Sequence, residues 1–138
     1  MKAICYQMIN IIKLVRRLID EEMRTAGVTR TGWQVLFWLR RLSSCTQKEL
    51  LQHMDIDAAQ LARVLEEREK KNYIVRSQQQ GDRRCLVIEM TLHCQNNIMP
   101  QVERTIAKEN AVLSKSLSPT EITKLQRLLT KLEKNLEE

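Results

Sequence analysis

The side chains able to do covalent or metal chemistry are few and scattered. The two histidines, His53 and His93, lie far apart, and neither has a metal-ligating partner at a usual spacing. Four cysteines, Cys5, Cys45, Cys85 and Cys94, form no C-x-x-C pair. Their spacing fits neither a zinc site nor a disulfide framework, so they read as buried or idle thiols in a reducing compartment. Cys5, Cys45 and Cys85 are evenly spaced, but their flanks do not match and no repeat follows. No glycine-rich phosphate loop is present. Glu66, Glu67 and Glu69 read as a solvated helix face. The expectation is therefore a chain that is not an enzyme and needs neither metal nor cofactor.

What remains is cationic. Lys and Arg number 23 against 17 Asp and Glu, a net charge of +6. Such an excess favours an anionic partner without naming it. It is spread unevenly: +2 over residues 1–27, +3 over 28–94 and +1 over 95–138. The excess is mildest in the C-terminal third, which suggests a different job there.

Elements must position these side chains. A chain of 138 residues is one domain's worth and can bury a core unaided. Only 3 Gly and 2 Pro leave little material for tight turns, so helices are expected to dominate. No apolar run approaches the ~18 residues that span a bilayer. The apolar start at Ile4 soon meets Arg16 and Arg17 with no small-residue cleavage site after them, which reads as a cytosolic protein.

Ile4, Met8, Ile11, Ile12, Val15, Leu18, Ile19 and Met23 repeat at helical spacing, and Ala26–Gly27 ends that helix. Thr31 is the expected N-cap of a second helix, Gly32 to Leu42, whose nearly all-apolar centre belongs in a core. A loop over 43–45 leads to a capping box, Thr46 with Glu49, and a short helix with Leu50, Leu51 and Met54 inside. Asp57 with Gln60 opens the next helix, Ala58 to Lys71, with Leu61, Val64 and Leu65 facing in. Asn72 suits its left-handed cap. Two short helices joined by a turn of about four residues, with Ile56 in the corner, make a helix-turn-helix.

Tyr73–Val75 and Cys85–Thr91 read as strands flanking a polar tip, a β-hairpin wing. Thr91 starts a long helix to about Leu117, which Pro100 should kink or delay. Ser118-Pro119-Thr120-Glu121 is the strongest helix start in the chain. Ile122, Leu125, Leu129, Leu132 and Leu136 follow at coiled-coil spacing. The two end segments are amphipathic and stand outside the compact unit. Both should bury their stripes against a second copy, giving a homodimer. The fold class is mainly α with a small β-hairpin wing, a winged helix-turn-helix flanked by N- and C-terminal dimerisation helices. Residues 1–138 form one domain, with a DNA-binding lobe at 28–94 and dimerisation helices at 1–27 and 95–138.

In this order and spacing the chain resembles the MarR family of bacterial winged-helix transcriptional regulators, nearest to its SlyA-like members. The resemblance rests on Val28-Thr29-Arg30-Thr31-Gly32-Trp33, on Ile56-Asp57 through Arg63 to Asn72-Tyr73-Ile74-Val75-Arg76, on Asp82-Arg83-Arg84 with its following strand and Met90-Thr91, and on the final Leu-Ser-Pro-Thr-Glu. Five positions depart from the family pattern. Asn72 replaces Gly. Gln60 and Ala62 stand where Thr is frequent, and Cys94 where Gly is. Arg68 replaces an inward Leu, either packing its stem with its head snorkelling out or altering the local packing.

The resemblance implies a partner of double-stranded DNA at a pseudo-palindromic site, with residues 57–71 in the major groove. There Gln60 pairs with adenine and Arg63 with guanine, while Ala59 and Ala62 touch thymine methyls. It places Arg84 in the minor groove, oriented by Asp82. Arg83 and Arg76 would meet phosphates, as would the helix start at Thr46 and Gln47. It also implies a small aromatic or phenolic effector, often a carboxylate, with Trp33 and Arg16 as candidate contacts. Thiol sensing at Cys5 is a rival trigger, for which the usual activating tyrosines are replaced by Ile9, Ile19 and Arg30. From other functional classes, a nucleoid-type DNA binder and a protein-interaction module are the alternatives.

Overall fold

The computed structural model describes residues 3–79 and 81–137, with backbone alone at 82–84. The first apolar stripe folds as α1 (Ile4–Thr25), closed by Gly27 at a φ of 71°. Only its C-terminal part is buried, at Ile19 and Met23; Ile4, Met8, Ile11 and Ile12 are exposed. Helix α2 (Arg30–Leu42) starts two residues earlier than its sequence suggests. The cap is Thr29 rather than Thr31: Thr29 is extended, and its Oγ1 accepts from the Gly32 N–H at 3.1 Å. Either threonine satisfies the local preference, and the fold uses the first.

Residues expected as a loop form a strand, β1 (Ser44–Thr46). Three residues are too few for alternation to show. Their partners lie far along the chain, with Cys45 opposite Ile88 and Thr46 opposite Val87. Helix α3 (Gln47–His53) follows, with Thr46 Oγ1 accepting from the Glu49 N–H at 3.0 Å. Helix α4 (Ala58–Lys70) starts where Asp57 accepts from the Gln60 N–H at 2.8 Å, and ends before Asn72 at a φ of 62°.

The hairpin strands β2 (Ile74–Gln79) and β3 (Asp82–Met90) are longer than expected. The polar stretch read as a tip is itself paired, with Arg76 opposite Ile88 and Gln78 opposite Leu86. Antiparallel pairing needs only backbone, and an exposed hairpin can carry polar side chains throughout. The sheet order is β1-β3-β2. One core of Val35, Leu39, Cys45, Leu50, Met54, Leu61, Leu65, Ile74 and Ile88 joins α2, α3, α4 and the sheet, with Ile56 and Val64 packed at its margin.

The expected single helix after Thr91 is two helices, α5 (Leu92–Asn97) and α6 (Met99–Ser114). The break at Ile98 comes just before Pro100, which lacks the N–H a continuous helix requires. Thr91 Oγ1 accepts from the Cys94 N–H at 3.1 Å and donates to the Asn72 carbonyl at 2.7 Å, tying the α5 start to the α4 end.

The chain divides into two compact units at Thr105/Ile106. The second contains α7 (Pro119–Glu137). Its capping box is reciprocal: the Ser118 N–H donates to Glu121 Oε1 at 2.9 Å, and the Glu121 N–H donates to Ser118 Oγ at 3.2 Å. These bonds hold the Glu121 carboxyl below its ordinary pKa. No α7 residue is buried, and Leu125, Leu128, Leu129 and Leu136 face solvent.

Candidate nucleic-acid interface

Helix α4 turns Leu61 and Leu65 into the core, and that fixes what its other side shows. Ala58, Ala59 and Arg63 are exposed, while Gln60 and Ala62 are half-buried. Arg63 makes no ion pair among the described residues. Glu66 and Glu67 are exposed, as the sequence suggests, and both are paired. Glu66 pairs with Lys70 at 3.4 Å and Glu67 with Lys71 at 3.3 Å, each one helical turn apart. Those pairs offset the charge of the C-terminal half and leave Arg63 as the uncompensated cation nearer the N-terminus.

Glu69 does something different. Its carboxylate accepts from Arg76 Nε at 3.3 Å, Nη2 at 3.2 Å and the Arg76 N–H at 3.2 Å. The Arg76 guanidinium clamps the start of the hairpin to α4 and is already partnered. These hydrogen bonds hold the Glu69 carboxyl below its usual range. Arg76, a position expected to meet phosphate, also ties the wing to α4.

The N-termini of α3 and α4 and strand β3 enclose a groove of about 570 Å³, lined by Thr46, Gln47, Lys48, Leu51, Ala58, Leu61, Cys85 and Leu86. Two expected contact residues, Thr46 and Gln47, thus border the same groove as Ala58 at the start of α4. Gln47 is half-buried, with its Oε1 enclosed and unpartnered. In the wing the backbone of 82–84 is strand, with Asp82 opposite Gln79 across a register shift. The side chains of Asp82, Arg83 and Arg84 lie outside the described residues.

Trp33 is buried and stacks on Phe37 with centroids 5.1 Å apart, whereas Arg16 is exposed on α1. Cys5 is exposed and Cys45 and Cys94 are buried, all as free thiols. Burial pushes the Cys45 thiol pKa up and that of Cys94 to about 11. No group of His, Cys, Asp or Glu among the described residues could hold a metal ion. No described helix is long and apolar enough to cross a membrane.

Of the two expectations for Arg68, the altered packing holds: the side chain is fully buried rather than snorkelling. Room for its guanidinium exists because Gly32 on α2 has no side chain; a Cβ there would lie 2.6 Å from Arg68 Cζ. The available signals were a charge on an otherwise inward α4 face and a glycine inside an apolar helix.

A helix-turn-helix whose second helix leads into an antiparallel hairpin defines a winged-helix protein. Residues 28–86 match the model of the MarR family. Solved structures share the fold. A SlyA-like transcription regulator from Listeria monocytogenes is similar at 22% identity and a TM-score of 0.83, over 99% of this chain and 90% of that one. A MarR transcriptional regulator from Methanosarcina mazei matches at 16% identity and 0.83, over 96% and 88%. A mutant MarR from E. coli, complexed with operator DNA, matches at 21% identity and 0.77, over 92% and 91%.

Proposed function

We propose that this chain is a homodimeric, sequence-specific DNA-binding transcriptional regulator. The observation that carries the reading is α4 itself. It is held by Leu61 and Leu65 so that Ala59 and Arg63 stand exposed on its N-terminal half, directly before a clamped hairpin. The operator complex of the E. coli relative supports it at the level of fold. In this reading α4 enters the major groove. Arg63 pairs with guanine and Gln60 with adenine, while Ala59 and Ala62 lie against thymine methyls. Arg84, oriented by Asp82, enters the minor groove from the wing, and Arg83 meets a phosphate. Thr46 and Gln47 at the α3 start approach a second phosphate. Arg76 serves by holding the wing against α4.

The dimer is supported separately by each unit. In the first, α1 leaves Ile4, Met8, Ile11 and Ile12 exposed; in the second, α7 leaves Leu125, Leu129 and Leu136 exposed. A second copy covers such stripes and sets two recognition helices on half-sites about 10 bp apart. A small aromatic effector would act by changing that spacing, and DNA and effector would then antagonise each other reciprocally.

The test is selection from a random DNA pool by purified protein at ~150 mM salt, where non-specific binding is weak. Enrichment of a palindrome with half-sites one turn apart is the expected result. Retention without enrichment would show a nucleoid-type binder, and no retention would favour a protein-interaction module.

A further inference from the structure

The winged-helix core has two covalent exits towards the helices of the chain ends. One is Thr29, the N-cap of α2, reached from α1 through Gly27 and Val28. The other is Thr91, the N-cap of α5. The C-terminal end of α4 meets both. Arg68 Nη2 donates to Thr29 Oγ1 at 3.4 Å, and the guanidinium packs on Gly32. Four residues on, the Asn72 carbonyl accepts from Thr91 Oγ1 at 2.7 Å. The Tyr73 carbonyl accepts from the Thr91 N–H at 3.1 Å, and the Tyr73 N–H donates to the Arg68 carbonyl at 2.9 Å.

Side chains extend this link. Arg68 Cζ lies 5.7 Å from the centre of the Tyr73 ring. The Tyr73 and His93 rings are 5.8 Å apart and nearly parallel, at 15°. Asn97 holds the imidazole: its Nδ2 is 3.1 Å from His93 Nδ1 and donates to the His93 carbonyl at 3.0 Å. A run of contacts therefore passes from α2 through Arg68 and Tyr73 to α5. Electrostatics keeps it together. Arg68 is fully buried, its Nε and Nη1 have no partner, and a guanidinium cannot shed its charge. One long hydrogen bond and the negative face of the Tyr73 ring compensate it, so ring and cation stay in contact.

The placement has leverage. Helix α4 has 13 residues and is about 20 Å long. Arg68 and Tyr73 lie at one end, and Ala59 and Arg63 on the other half. A tilt of about 10° at the Arg68 end moves the far end by about 3.4 Å, the rise of one base pair.

We propose that Arg68, Tyr73 and His93 are positioning residues that fix α4 against both exits and so set the half-site spacing the dimer accepts. The inference rests on the DNA-binding reading above. In it none of the three touches DNA; they act through α4.

The test repeats the DNA selection with the full chain and two pairs of variants. His93→Ala and Tyr73→Leu remove a ring, whereas His93→Phe and Tyr73→Phe keep one. Half-sites of unchanged sequence are expected throughout, with spacing shifted or broadened by about one base pair only where a ring is lost. Residue-resolved amide exchange is measured in parallel at Thr91, Cys94, Gln95 and Ile98, whose N–H groups are all bonded at α5 or its start. These amides should exchange several-fold to about tenfold faster in His93→Ala and at the wild-type rate in His93→Phe, the scale of one aromatic pair. A general loss of stability would instead speed exchange throughout the core and leave the spacing alone. Unchanged spacing in both ring-removing variants overturns the assignment, as does unchanged exchange at α5. If the wild type enriches no palindrome, the DNA-binding reading fails, and exchange alone decides whether these residues hold α5 to α4. His93 is exposed, so its pair carries the test if Tyr73→Leu does not fold.

Discussion

Gly32→Ala is the sharpest probe of how α2 and α4 fit together. The new Cβ would sit 2.6 Å from Arg68 Cζ and 2.8 Å from Nε, closer than real Cβ contacts come. The end of an arginine normally swings away, but this one is enclosed on every side. The substitution gains up to about 1 kcal/mol of helix propensity in an interior position, and less in a first turn. Overpacking a filled core costs about 1–3 kcal/mol. The expected net effect is a destabilisation of about 1–2 kcal/mol, or roughly 4 °C in Tm per kcal/mol for a chain of this size. In an Arg68→Leu background the atoms in the way are gone, and Gly32→Ala should be neutral or stabilising by about 0.5 kcal/mol. The assay is a double-mutant cycle from urea unfolding followed by circular dichroism at one protein concentration, since association alters apparent stability. Equal destabilisation in both backgrounds, or a more stable Gly32→Ala single variant, would refute the reasoning.

Other expectations follow from the same contacts. Leu61→Ala removes a fully buried side chain and should cost about 2–5 kcal/mol by urea unfolding. The Glu69 carboxyl has a lowered folded pKa, so its clamp on Arg76 contributes stability above the ordinary carboxylate range and loses it as pH falls through the lowered value; Glu69→Gln should flatten that part of an acid titration of Tm. Iodoacetamide should label Cys5 in the native protein and reach Cys45 and Cys94 only on unfolding, as read by mass spectrometry. The Cys94 thiol, raised from 9.0 to about 11, keeps its proton longer when folded, so stability should decline between those pH values and Cys94→Ser should reduce the decline. Arg63→Ala should relax preference at one base position, while Arg84→Ala should weaken binding and make its salt dependence shallower, both measured by titration of the selected operator.

The wing shows where local reading stops. Alternation marked the apolar end of each strand, but the paired polar residues from Arg76 to Gln78 carry no such signal, because their neighbours are backbone groups of β3. Strand β1 escaped for the same reason at shorter length. The candidate contact face was legible because Leu61 and Leu65, one turn apart, dictate which way Ala59 and Arg63 must turn. The pairing of Arg76 with Glu69 was not legible, because a cation near a wing and a cation paired to Glu69 look alike until the strand is laid against the helix.

By themselves the residues determined the helix order, the caps at Thr46, Asp57, Thr91 and Ser118, and the left-handed end at Asn72. Each of these is set within a few residues, by a side chain that satisfies a backbone group nearby or by a φ that few residues accept. Only the tertiary structure decided that Thr29 caps α2, that residues 44–46 pair with β3, and that Arg68 is buried beneath Gly32. Arg68 meets Gly32 and Thr29, 36 and 39 residues away, and β1 meets β3 across comparable separations. Whether a buried charge is tolerated is settled by the space and potential that a distant helix provides, which no local pattern of residues encodes.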